Sequence, residues 1–106
     1  MRAGTTLTLE STKAIQAMIT DDTLSVDLED GRTVTIPLEW YPRLLHTTEM
    51  ERNNWRVFED SDERDIIFWE SIDELIPAIA LLAGVPSRES KRSFERWLQG
   101  RGRAIR

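Results

Sequence analysis

Residues 24–38 read LSVDLEDGRTVTIPL, and the reading of this stretch decides the fold. In its first arm Leu24, Val26 and Leu28 alternate with Ser25, Asp27 and Glu29. In its second arm Val34, Ile36 and Leu38 alternate with Thr33, Thr35 and Pro37. A period of two places every second side chain on one face of a strand, so each arm has one apolar and one wet face. Asp30-Gly31 between the arms predicts a type I′ turn, with φ > 0 at both central residues. The hairpin implies a sheet with one solvated face. It implies no reaction.

Upstream, Ala14 to Thr20 alternates through Ile15, Ala17 and Ile19 and reads as a third strand, completing a three-stranded meander. Leu7 and Leu9 alternate as well, but residues 1–13 are rich in Thr and Ser and read as a flexible N-terminus. Downstream, Pro37 suits an edge strand and Pro42 suits the first turn of a short helix carrying Leu44 and Leu45. Thr48-Glu49-Met50-Glu51 has capping-box spacing, and Asn53-Asn54 closes the segment. Trp55–Glu59 and Asp65–Trp69 read as a second strand pair around an acidic turn. Ile66 to Trp69 is apolar on both faces, which places that strand in the middle of a sheet or under a helix.

Ser71-Ile72-Asp73-Glu74 repeats the capping-box spacing. It predicts a short turn through Leu75 and a main helix from Pro77 to Ala83, with Leu75, Ile79 and Leu82 on one side. Gly84 is the natural C′ residue. Ser87 is expected to cap a last helix over Arg88–Gln99 that Gly100 stops, leaving RGRAIR disordered. The fold class is therefore α+β. An antiparallel sheet of about five strands is expected, from a three-stranded meander, a short helix and a two-stranded hairpin, with C-terminal helices. The domain spans residues 14–83, and a basic amphipathic helix and tail span 84–106.

The composition bounds the function. A chain of 106 residues with 40% hydrophobic and 31% charged residues fits one folded domain. No cysteine is present, so disulfides and thiolate metal sites are excluded. MRAGTTLTLE lacks a secretory signal pattern. The longest apolar stretch, Ile76–Val85, is too short to span a bilayer. No membrane association is expected, and a cytoplasmic location is. The net charge of −5 is unevenly placed. Residues 1–83 carry seventeen acidic and seven basic residues, residues 84–106 two acidic and seven basic. The basic end either meets an anionic surface, nucleic acid or an acidic protein face, or pairs with the chain's own acidic body.

Three stretches carry a resemblance: residues 21–55 (DDTLSVDLEDGRTVTIPLEWYPRLLHTTEMERNNW), 66–76 (IIFWESIDELI) and 81–98 (LLAGVPSRESKRSFERWL). They resemble the domain-of-unknown-function 2442 family of bacteria over about residues 14 to 99. Two departures stand out: SDERD replaces a turn that is often glycine-rich in the family, and Pro77 sits at a helix start. The resemblance implies a small α+β fold and no known catalytic residues. It also implies a neighbour of the domain-of-unknown-function 4160 type, as in toxin–antitoxin pairs, and hence an antitoxin-like or regulatory role. Fold-level analogy alone does not establish such a role.

The residues themselves offer no enzyme. His46 is the only histidine and lacks a metal-ligand spacing. Asp60, Asp62, Glu63 and Asp65 lack the glycine and closing glutamate of a calcium loop. Asp73 and Glu74 read as a helix N-terminus favoured by the dipole. No phosphate loop or nucleophile elbow occurs, so no catalytic residue, cofactor or metal is expected. The aromatic residues are numerous. Trp55 and Trp69 read as core, whereas Trp40, Tyr41, Arg43, Phe94, Trp97 and Leu98 form the candidate partner-binding set. Arg88, Lys91, Arg92 and Arg96 fall at i, i+3, i+4 and i+8 and, with Arg101 and Arg103, form the candidate anion-binding set.

The expected function is a non-enzymatic protein-interaction module, antitoxin-like partner of a small co-encoded protein. A nucleic-acid-associated regulator using the basic helix and a small-ligand-binding domain are the alternatives. A homodimer stays open.

Overall fold

A computed structural model describes residues 13–105, with side chains up to Arg101. The reading of residues 1–12, and the anion-binding role given to Arg103, fall outside the described part. Six strands form two antiparallel meanders, β1-β2-β3 and β4-β5-β6. The first comprises β1 (Ala14–Ile19), β2 (Thr23–Leu28) and β3 (Thr33–Pro37). A 3₁₀ turn (Leu38–Trp40), α1 (Pro42–Leu45) and α2 (Glu49–Arg52) lead to the second, β4 (Trp55–Glu59), β5 (Asp65–Trp69) and β6 (Glu74–Pro77). Helices α3 (Ala78–Ala83) and α4 (Lys91–Ile105) follow. The α+β class is as the sequence implies, but two three-stranded sheets replace one of about five strands.

The apolar faces of both sheets share one core. Leu24, Val26, Leu28 and Ile36 come from the first sheet, and Ile67, Trp69 and Ile76 from the second. Tyr41, Leu44, Ile72 and Leu81 fill between them. The alternation in β2 thus places its side chains as its period dictates. Trp69, the largest wholly buried side chain, also donates its indole N–H to the Arg52 carbonyl at 3.1 Å, so its burial leaves no polar group unmet. Strand β5 is the central strand of its sheet, which explains its two apolar faces. The two sheets are stitched between the start of β1 and the β4–β5 turn end of the second sheet. Buried Asp65 accepts the Ala14 backbone N–H at 2.9 Å and lies 3.7 Å from the Lys13 ammonium, which also bonds Glu59.

Several local expectations are corrected. A bulge between Ala14 and Gln16 adds one residue to β1 and turns Ile15 outward, so Ala14, Ala17 and Ile19 face the core instead of Ile15, Ala17 and Ile19. Leu44 is buried but Leu45 is exposed. At the central hairpin only Gly31 has positive φ (+96°). Its N–H donates to the Leu28 carbonyl and the Leu28 N–H to the Arg32 carbonyl, which makes a turn closed by a left-handed glycine and not a type I′ turn. Asp30 holds that turn by accepting the Arg32 N–H.

The second hairpin repeats the arrangement. The Glu63 N–H donates to the Asp60 carbonyl and the Asp60 N–H to the Arg64 carbonyl. Asp60 accepts the N–H groups of Asp62 and Arg64. Here the left-handed position is occupied by Glu63, at φ +61°.

The second capping-box spacing misleads. Glu70–Ile72 is a 3₁₀ turn ended by Asp73 at φ +55°, and Glu74–Pro77 is strand β6. Pro77 cannot sit inside a helix. It stands at the N-cap of α3, whose buried residues are Ala78 and Leu81, not the expected Leu75, Ile79 and Leu82 row. The first capping box is real: the Glu51 N–H donates to Thr48 Oγ1 and the Thr48 N–H to Glu51 Oε1. Helix α4 starts three residues later than expected, with the Ser93 N–H donating to Ser90 Oγ, and it runs through Gly100 to Ile105. Gly100 lowers helix propensity but does not force a stop, so residues 101–105 are helical where disorder was expected.

A non-glycine residue in the left-handed region costs about 1 kcal/mol. Glu63→Gly is therefore expected to raise unfolding free energy by about 0.5 to 1 kcal/mol. Urea denaturation checks this, and a loss of stability would contradict the turn geometry.

Candidate functional site

Helix α4 divides the basic end of the chain into two sets. On its inner side Phe94, Trp97, Leu98 and Arg101 are half-buried. Phe94 stacks on Trp97 at 5.9 Å and meets the His46 ring, at the end of α1, at 5.6 Å. Trp97 packs against the core, and the guanidiniums of Arg43 and Arg101 lie 5.2 and 4.8 Å from its ring centre. Arg101 makes a two-pronged bond to Glu51 at 3.0 and 2.9 Å, using the carboxylate that closes the α2 capping box. The hydrogen bonds from Arg101 hold the Glu51 carboxyl below its usual range, helped by the Thr48 backbone N–H.

Arg43 fixes the other end. Its Nη2 and Nε donate to Glu89, at 2.6 Å for the shortest bond, and its Nη1 donates to the carbonyls of Ile72 at 2.9 Å and Asp73 at 3.2 Å. Ser93 adds its hydroxyl to Glu89 at 2.7 Å. The Glu89 carboxyl is lowered chiefly by its bond from Arg43, and the Arg43 guanidinium is raised chiefly by the same bond. Both side chains are mostly shielded, 15% exposed each, so the bonds are charge-assisted and little screened.

The outer set is different. Arg88, Lys91, Arg92 and Arg96 are exposed, and none of them makes an ion pair among the described residues. Arg88 precedes the helix, so the expected four-residue cationic face is three helical residues plus one in the linker. Of the expected partner-binding set, Tyr41 is buried and donates its hydroxyl to the Val85 carbonyl at 2.6 Å. Trp40 packs against the core and its carbonyl accepts the Ser87 N–H at 2.9 Å. The six members therefore belong to one region, but Tyr41, Arg43 and Trp97 hold α4 and its linker to the body.

A cleft of about 500 Å³ lies between β6, α3 and this linker. Its walls include Leu75, Pro77, Ile79, Ala83, Val85 and Pro86, with Arg64 and Arg88 also lining it. Glu74 stands in it. Burial pushes the Glu74 carboxyl up to about 7, against the nearby Arg43 charge and with Glu89 and Asp73 adding to the rise. The Tyr41 phenol beside it is pushed up to about 12, by burial first and by Glu74 second. A raised carboxyl in a cleft is a marker of functional sites. The sequence concealed Glu74 because the capping-box spacing explained it as a helix N-terminus. Pro77, three residues on, was the available signal that this stretch is not helical. Among the described residues no group of three or more metal-ligating side chains gathers, and no helix is long and apolar enough to cross a membrane.

A family model described as "Protein of unknown function (DUF2442)" matches residues 14–87. The match takes in both sheets, α3, Arg43 and Glu74, and stops before α4. A crystal structure of a protein of unknown function from Rhodospirillum rubrum ATCC 11170 is similar in fold. It is 21% identical, with a TM-score of 0.56, over 77% of this chain and 95% of that one. No curated protein matches the chain.

Two outcomes follow from this geometry. Arg43→Met removes the Glu89 pair and two carbonyl bonds, so a loss of about 2 to 3 kcal/mol is expected, with amide exchange speeded along α4 more than along β5. Unaltered exchange in α4 would show that Arg43 does not clamp it. The second concerns pH. A carboxyl whose pKa rises from about 4.5 to about 7 on folding leaves the folded state holding the extra proton between those values. Its contribution is complete below about 4.5 and is lost as pH rises through about 7. Glu74→Gln should therefore gain thermal stability over the natural chain at pH 8 relative to pH 5, and parallel melting curves at both pH values would exclude the shift.

Proposed function

The chain belongs to the DUF2442 family, and we propose that it is a non-enzymatic protein-interaction module of the bacterial cytoplasm, the antitoxin-like partner of a small co-encoded protein. One observation carries the reading. Arg43 and Arg101 spend their charge inside the fold, and by doing so they fix α4 with Lys91, Arg92 and Arg96 outward and unpaired. Three exposed cations on α4 and Arg88 at the mouth of the cleft, on a chain whose net charge is −5, suit a partner that offers carboxylates at its rim. Nucleic acid would meet the same cations, but the acidic body repels a polyanion beyond them, and among the described residues no element for reading bases accompanies them.

The test is co-expression of the tagged full chain with its genomic neighbour, beside the triple variant Lys91→Glu, Arg92→Glu, Arg96→Glu. These positions are exposed, so the variant should keep the natural melting temperature. Capture of the neighbour by the natural chain and its loss in the variant are expected. Failure to capture it, or capture indifferent to the reversal, removes the reading. Recovery of nucleic acid alone, released by salt, would transfer the function to a regulator bound through phosphates.

A further inference from the structure

Strand β6 breaks the apolar-inward, polar-outward pattern that β2 and β3 obey. Its residues pair Glu74 with Trp69 and Ile76 with Ile67, and directly opposed residues share a face. Trp69, Ile67 and Ile76 are wholly buried, so Glu74 lies on the core face of the sheet. Leu75 lies on the other face and is 47% exposed. A carboxyl directed inward with a leucine directed outward breaks binary patterning, and such breaks concentrate at functional sites.

The Glu74 carboxyl makes no hydrogen bond and no ion pair among the described residues. The donors around it are committed elsewhere. Arg43 is bonded to Glu89 and two carbonyls, the Tyr41 hydroxyl to Val85, and Arg64 to Asp60 and Asp62. Arg88 alone among the cleft's cations is unpaired, and it is exposed. At the carboxyl the Arg43 charge attracts, while Glu89 and Asp73 add negative potential. The cleft thus joins an unsatisfied acidic group to walls of Leu75, Pro77, Ile79, Ala83, Val85 and Pro86. A purely apolar occupant would leave the carboxyl unmet at a cost, and an anionic one would be repelled by it. A long aliphatic stem ending in a cation meets both features.

We infer that the cleft beside β6 is the seat of a lysine or arginine side chain of the partner polypeptide, its stem on the apolar walls and its charged head on Glu74. The inference rests on the protein-interaction reading and adds to it the chemistry of the partner's anchor. Lysine and arginine carry enough stem to cross the apolar walls, and the flanking backbone would run along the exposed Leu75 and past Arg88.

The experiment is a ¹⁵N-resolved titration of the full chain with the peptide acetyl-Ser-Leu-Lys-Leu-Ser-amide, with versions carrying norleucine or Glu in place of Lys, and with n-butylammonium. Saturable shifts at Ala80, Ala83 and Val85 are expected with the lysine peptide, at an affinity at least about tenfold above that of the norleucine and glutamate versions. Glu74→Gln should abolish that preference, and the bound peptide should lower the pH at which the Glu74 carboxyl titrates, because a neighbouring cation favours the charged form. The α4 triple reversal should leave cleft binding intact, so loss of capture on α4 and loss of binding here fail separately. Equal affinity for lysine and norleucine peptides, or no saturable binding, overturns the inference. Binding of n-butylammonium as tight as that of the peptide would overturn the assignment to a polypeptide.

Discussion

The guanidinium of Arg43 is the constraint on which the arrangement around α4 depends. One planar group reaches the Glu89 carboxylate, the carbonyls of Ile72 and Asp73, and the face of Trp97. It therefore ties together α1, the connection between β5 and β6, the linker after α3, and α4. A lysine could not do this, because a single ammonium lacks the fixed fork that spreads donors over three partners. The carbonyls it serves lie beside Asp73, where the chain turns through a left-handed residue, so the same group supports a strained connection and closes a helix interface.

The sorting of charge follows from that clamp. Basic residues near the core side of α4 acquire acidic partners, and both Glu51 and Glu89 are held below their usual range as a result. Basic residues on the far side acquire none. A helix anchored by aromatic stacking and two charge-assisted pairs presents its remaining cations rigidly, without the ordering cost that a loose tail would incur on binding. The two acidic hairpin tips use their charge locally instead. Asp30 and Asp60 each fold back onto the arginine and the backbone of their own turn.

Where local preference and tertiary demand conflict, the structure departs from the simplest reading of the chain. Glu63 and Asp73 stand at positive φ without being glycine, and Glu74 faces inward while Leu75 faces out. All four residues lie along the β4–β5–β6 meander, which borders the cleft. The first meander has no such conflict. Its one irregularity, the bulge at Ile15, leaves every core position apolar.

The sequence by itself determined the strands β1 to β5 to within a residue, the α1 and α2 turns, the first capping box and the α+β class. Those elements rest on local signals: a period of two, a glycine or proline at a turn, a side chain that reaches its own backbone. It also determined that Trp55 and Trp69 belong to the core. Tertiary structure alone decided the rest. Ser71 to Glu74 carries a helix-start spacing, yet pairing with β5 and the rigid φ of Pro77 make Glu74–Pro77 a strand, which turns the expected two-stranded hairpin into a three-stranded sheet. Arg43, Trp97 and Arg101 have the composition of an interface, yet long-range partners 46 and 50 residues away draw two of them into the fold. No local pattern specifies which of seven basic residues near the C-terminus finds a carboxylate, because that depends on distances set only when the two sheets close over one core.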